Sequence, residues 1–343
     1  MSAPAIDPTK IREVLSHKHG RPLISCCWDP AARFVFFGAE NSAAEGYDDL
    51  LFRLSLAPAE GASAAVPCLG SHDSWVWALS CSPDGQSLVS GGYDGRLCWY
   101  PLAADAPRAT RTVAAHDGWV RAVQVSPDGR FVASCGNDQL VKVWSMADGT
   151  EVARLAGHES HVYQVAWRPD GSALVSCDLK GVVKEWDAAA GACRRDIATA
   201  AQLWSYDEQF RADIGGARTM AFRPDGSQLA LGGMTKVTNA FAGVGQPLVV
   251  VLDWAGGEPK LLEAKNPGRG VTWGVAWHPE GFWIALAGGG GGGFLRFFKP
   301  DATDEFHAFK LPGNGRAMAL SPDATRVAVG LADGTLRIYA LHA

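Results

Sequence analysis

HDGWVRAVQVSPDGRFVASCGNDQLVKVW occupies residues His116 to Trp144. Three short apolar runs are separated by two turn signals. Val120 to Val125 is rich in β-branched residues and alternates, which predicts a strand with two different faces. Ser126-Pro127-Asp128-Gly129 follows, with proline to set φ and glycine to accept a positive φ. Phe131 to Ser134 predicts a second strand, Gly136-Asn137-Asp138 a second turn, and Leu140 to Trp144 a third strand. The segment is a β-meander.

The turn recurs. Degenerate copies place prolines at 30, 83, 127, 169, 224, 279 and 322, separated by 53, 44, 42, 55, 55 and 43 residues. Three of these spacings match the roughly 40–45 residues of a four-stranded propeller blade, and the others read as the same unit with insertions. The residue two before each proline is Trp28, Cys81, Val125, Trp167, Phe222, Trp277 or Leu320. Four before stand Cys26, Leu79, Val123, Val165, Met220, Val275 and Met318, and between the two positions stand Cys27, Ser80, Gln124 and four alanines. This pattern predicts a strand buried between neighbouring units. One unit cannot cover both its faces, so the seven copies must stack into a ring.

Gly157-His158 with Trp186-Asp187, and His116 with Trp144, resemble the G-H and W-D signatures of WD40 repeats. The resemblance runs from about residue 11 to residue 341. It implies an all-β fold, a single seven-bladed β-propeller over residues 1–343, with residues 1–10 a flexible segment. It also implies closure: Thr335 to Leu341 is a third strand with nothing after it, so Ile11 to Leu15 should complete the last blade.

Family repeats carry a hydrogen-bonded His, Ser or Thr, Asp and Trp. Blade 3 has the full structural set, His116, Ser134, Asp138 and Trp144. Blade 2 has His72, Ser90 and Asp94 with Tyr100 at the tryptophan position. Blade 4 has His158, Ser176 and Trp186, with Lys180 where the acid is expected. His19 holds the histidine position of blade 1 but Phe37 replaces its serine, Asp333 survives in blade 7 without a partner serine, and blades 5 and 6 keep none of the polar set. Ser, His and Asp together invite a hydrolase reading. A set that recurs in register, without a G-x-S-x-G elbow, reads instead as structure. No catalytic residue is assigned.

The glycine run Gly288–Gly293 precedes Phe294-Leu295-Arg296, a strand rather than the G-K-[ST] and helix of a phosphate loop, so it reads as a turn. The eight cysteines form no C-x-x-C pair, and alternation sends Cys26 and Cys27 to opposite faces. No cofactor and no metal site is expected. A net charge of −5 argues against nucleic acid. The first residues show no basic segment followed by an apolar one, and no apolar run is long enough for a membrane helix. The expectation is a reduced, cytoplasmic protein, a monomeric propeller working within a complex.

In WD40 proteins one rim, the top, carries the start of the first strand. Reading that position through the repeats yields Ile24, Trp77, Arg121, Tyr163, Arg218, Trp273 and Arg316. Trp75 and Trp119 stand two residues earlier. Trp, Tyr and Arg dominate binding hot spots, so Trp75, Trp77, Trp119, Arg121, Tyr163, Arg218, Trp273 and Arg316 form the expected partner-binding rim. Long segments converge there too: Glu40 to Asp49, Met234 to Pro247, and Thr199 to Gly215 with its Trp204–Phe210 core. The function implied is a non-enzymatic scaffold holding a protein or peptide. The alternative is an enzyme or small-ligand binder using the central channel.

Overall fold

The structure is a computed structural model, and it describes residues 5–40, 50–57, 65–68, 70, 72–198, 200–239 and 244–342. Among these, seven four-stranded antiparallel sheets and one two-stranded hairpin account for the strands. The fold is a seven-bladed β-propeller. First strands run Leu23–Trp28, Val76–Cys81, Val120–Val125, Val162–Trp167, Thr219–Phe222, Val271–His278 and Gly315–Leu320. Each touches the first strand of the next blade, and the seventh touches the first, so the ring is closed.

The quoted meander folds as read, with small extensions. Its strands are Val120–Val125, Phe131–Gly136 and Val141–Ser145, and Glu151–Leu155 adds the fourth. This outer strand is largely exposed, so it carries little apolar signal. In blade 6 the strands Phe282–Gly289 and Gly292–Phe298 pair up to Gly289 opposite Gly292, which leaves Gly290 and Gly291 as the turn.

The recurring large–small–large pattern is the packing rule of the ring. Trp28 and Cys26 of blade 1 pack with Ala319 and Ala328 of blade 7. Trp167 and Val165 pack on Ala122 and Ala133 of blade 3. Trp277 and Val275 pack on Ala221 and Ala230 of blade 5. Large side chains of one blade thus meet the small ones of the blade before it. A twisted sheet stacked on its neighbour needs such complementarity to exclude voids. Hydrogen bonds cross the same seams: Trp28 Nε1 donates to the Ala319 carbonyl at 2.9 Å, and the Val125 amide donates to Ser80 Oγ at 3.0 Å. Cys26 and Cys27 do face opposite ways. Cys26 lies against the Ala328 carbonyl of blade 7, while Cys27 Sγ lies 3.8 Å from Cys81 Sγ of blade 2.

The N-terminal strand Arg12–Lys18 completes blade 7, antiparallel to Thr335–Ala340. Ile11 is buried beside Tyr339 and Leu341. Glu13 pairs with Arg337, and the Lys18 ammonium donates to the Asp333 carbonyl. Within the segment expected to be flexible, Pro8–Lys10 form a 3₁₀ turn, and the Asp7 amide donates to the Leu341 carbonyl at 2.8 Å. No helix among the described residues is long and apolar enough to cross a membrane.

Candidate partner-binding face at the channel mouth

Three histidines among the described residues sit in triad-like polar sets. In blade 3, His116 Nδ1 lies 2.8 Å from Asp138 Oδ1 and Nε2 lies 2.8 Å from Ser134 Oγ; Trp144 Nε1 donates to the same oxygen at 2.8 Å. Blade 2 repeats the first two contacts through His72, Asp94 and Ser90. Blade 4 holds a difference from the sequence reading. Position 180 is a lysine, yet the set is complete, because Asp178 supplies the carboxylate 3.0 Å from His158 Nδ1. His158 Nε2 and Trp186 Nε1 meet Ser176 Oγ as in blade 3. Asp178 ends its strand two residues after the serine, at the place of Gly92 and Gly136. A Cβ at Gly136 would lie 2.8 Å from the His116 ring. Blade 4 therefore brings its acid in from where the other two keep glycine. In blade 1, His19 instead packs against the rings of Phe37 and Phe52.

These serines are fully buried, as are the histidine side chains. No substrate reaches them, and each set ties a loop to a strand. Burial pushes the His116 proton affinity down, against the pull of Asp138. Burial also opposes charge at Asp138, but His116 and Lys142 prevail and hold its pKa at about 2.

The expected rim residues form one connected network at the mouth of the central channel. Trp77, Arg121, Arg218, Trp273 and Arg316 line a cavity of about 220 Å³ at the upper ends of the first strands. Trp77 of blade 2 meets Trp273 of blade 6 edge-on, with centroids 6.3 Å apart, although these blades are not neighbours in the ring. The contact spans the channel. Arg121 lies over the rings of Trp119 at 4.6 Å and Tyr163 at 4.5 Å. Arg218 covers Tyr163 at 4.5 Å, and Arg316 covers Trp273 at 5.0 Å.

Tyr93 joins the two halves and was missing from the sequence reading. It stacks on Trp119 with centroids 4.0 Å apart and planes 3° from parallel. It also stacks on Trp75 and Trp77 at 5.3 and 5.2 Å. Its backbone amide donates to the Trp75 carbonyl, as that of Asn137 does to Trp119. The two are equivalent turn positions, so reading that turn through the repeats is the signal that would have found it.

Exposure differs sharply across the network. Trp119 is 40% exposed, whereas Arg121 is only 7% exposed. Burial lowers the pKa of the Arg121 guanidinium, yet arginine stays charged. Its Nε donates to Asn137 Oδ1 at 2.7 Å, and the guanidinium lies over the rings of Tyr93, Trp119 and Tyr163 while lining the cavity. Arg316 pairs with Glu40 at 2.8 Å.

The long segments have mixed fates. Residues 41–49 of the Glu40–Asp49 segment, residues 240–243 of Met234–Pro247, and Thr199 lie outside the described residues. The described part of the blade 5 segment is a hairpin extension, Gln228–Asn239 against Val244–Asp253. Trp204–Asp207 and Ala212–Gly215 make the two-stranded hairpin, with Leu203 anchored in the core and Tyr206 and Phe210 exposed.

The family model for the WD domain, G-beta repeat (WD40) matches residues 65–100, 108–145 and 149–187. Those three stretches contain the three complete or near-complete polar sets. No curated protein matches the chain.

Proposed function

The chain is a WD40-repeat β-propeller, and from that premise we propose that it is a non-enzymatic scaffold that holds a protein or peptide partner on its top face. Propellers of this family commonly serve as interaction scaffolds. The observation that carries the reading is the continuous network of Trp75, Trp77, Tyr93, Trp119, Arg121, Tyr163, Arg218, Trp273 and Arg316 at one end of the channel. Rigid aromatics and arginines supply contact area at low entropic cost, the composition of a hot spot. The inaccessible serines argue against a hydrolase. The Trp77–Trp273 contact across the channel argues against a small substrate using it as an open well.

Affinity capture compares the wild type, the top-face variant Trp119→Ala with Arg218→Ala, and Arg194→Ala as a control away from the rim. The reading expects the same set of bound proteins on wild type and control, and its loss on the top-face variant, with all three melting alike. Capture that survives the top-face changes sends the interaction elsewhere. A shift of several degrees with a nucleotide, sugar or metal in a thermal screen would favour the channel alternative.

A further inference from the structure

Three guanidinium groups converge on the channel-mouth cavity, and most of their charge is unanswered. Arg121, Arg218 and Arg316 all line it. Among the described residues, Arg121 and Arg218 pair with no carboxylate. Arg218 Nε and Arg316 Nε are buried without a hydrogen-bond acceptor. A buried donor left without an acceptor is costly, and a charged one more so. The chain as a whole carries −5, so the cationic mouth is a local feature against an acidic background. The mouth also displays how an acid is received there, because Glu40 reaches Arg316 with a 2.8 Å contact from blade 1 to blade 7. Arg121 and Arg218 flank Tyr163 with no such guest.

We propose that the partner segment held at the channel mouth is acidic, and that a carboxylate or phosphate side chain enters the cavity that Arg121, Arg218 and Arg316 line. The proposal rests on the top-face reading and specifies its chemistry. Aromatic faces hold the guanidinium groups in place, so little rotamer freedom is lost when the anion arrives, and a charge-assisted fork is the geometry that suits carboxylate and phosphate alike. Trp119, exposed above Tyr93 and Arg121, offers the flanking residues of the segment a flat surface. Glu40 is a competing internal anion on the third arginine.

Fluorescence anisotropy with labelled decapeptides tests this. The probes are polyglutamate, polyserine with one central phosphoserine, polyserine and polylysine. The expected result is that polyglutamate, the phosphoserine peptide or both bind at least tenfold more tightly than polyserine and polylysine, with affinity falling as salt rises. Which of the first two binds identifies the anion. Arg218→Gln should weaken that binding at least tenfold, Arg218→Lys should restore part of it, and Glu40→Gln should strengthen it several-fold by freeing Arg316. Melting curves identify any variant that has lost its fold, and Glu40→Gln removes no cation and no ring, so it reads the site independently. If neither acidic peptide is preferred, the acidic assignment is overturned, while loss of partner capture in the top-face variant still upholds the face. If acidic peptides bind but ignore Arg218→Gln and Glu40→Gln, the arginine site is wrong; if they also ignore Trp119→Ala, the binding lies off the top face.

Discussion

Each of three polar sets has its own imidazole, His72, His116 or His158, and the third-strand residue opposite its serine changes each time: Cys98 faces Ser90, Lys142 faces Ser134 and Lys184 faces Ser176. That neighbour helps set the charge. Burial opposes protonation of His72, but Asp94 and Cys98 overcome it and lift its pKa to about 9. In blade 3 burial prevails over the pull of Asp138, the Lys142 ammonium 3.5 Å from that carboxylate adds to the effect of burial, and the His116 pKa goes the other way. The folded chain thus binds a proton at His72 more tightly than the unfolded chain, whose histidine titrates near 6.5. The resulting stabilisation is complete below about pH 6.5 and is lost as pH rises through about 9; at roughly 1.4 kcal/mol per pH unit it is on the order of 3 kcal/mol. Melting temperature measured from pH 6 to 10 should therefore fall, and the fall should shrink in Asp94→Asn. Asp138 acts with the opposite sign: its contribution is present above about pH 4 and disappears as pH drops toward 2. His116→Ala removes two buried hydrogen bonds and should cost about 2–3 kcal/mol in denaturant unfolding; an unchanged midpoint would show that the set contributes nothing to stability.

Turns and edge strands are where the elements carry their own predictions. The turn between first and second strands uses glycine at positive φ in five blades, including Gly129 at 72° and Gly281 at 88°. Blades 1 and 7 place Ala32 and Ala324 there, both at φ 55°. A left-handed alanine costs about 1–2 kcal/mol, and glycine gives back part of that gain in unfolded-state entropy. Ala324→Gly should accordingly raise stability by about 0.5 kcal/mol, a rare case of alanine to glycine stabilising a protein; a lower unfolding midpoint would contradict it. The closing strand makes a larger claim. Deleting residues 1–18 strips blade 7 of its outer strand, of Ile11 and of the Glu13–Arg337 pair, and leaves Thr335–Ala340 as an open edge. The truncated chain should melt more than 10 °C lower and aggregate more readily by light scattering. A melting curve that overlays the intact chain would mean that the ring closes without it.

At the scale of the molecule, the ring separates stability from binding. Blades 2 to 4 keep the polar sets, while blades 5 and 6 rely on apolar seams such as Leu229, Leu231 and Val250 with Val175 and Val183. The mouth of the channel draws on all seven blades, so its composition is not constrained by any one blade. Trp119 illustrates the separation. It is exposed, with only Tyr93 and the Arg121 guanidinium on its ring among the described residues, so Trp119→Ala should shift the melting temperature by about 1 °C or less while weakening partner capture. Arg121→Ala, at a buried site, should cost more than 1 kcal/mol as well. Thermal melting of the two variants side by side distinguishes these outcomes.

Blade count, turn positions, the inward face of each first strand and the closing strand were all legible in the amino-acid sequence. These follow from local rules: period-2 alternation, the φ demands of Pro-Asp-Gly, and the need of a two-faced strand for neighbours on both sides. Eight rim residues were legible too, because they occupy one register position or the one two residues before it. What the rim does with them was not. That Tyr93 joins Trp75, Trp77 and Trp119, that Trp77 reaches Trp273 nearly two hundred residues away, and that Arg121 is buried while Trp119 is exposed depend on how seven blades tilt toward one axis. Asp178 escaped for the same reason: a carboxylate two residues from its usual place meets the same imidazole only once the strand has ended and the loop has folded over it. Sequence periodicity specifies which side chains point inward along a strand; only the closed ring decides which of them meet.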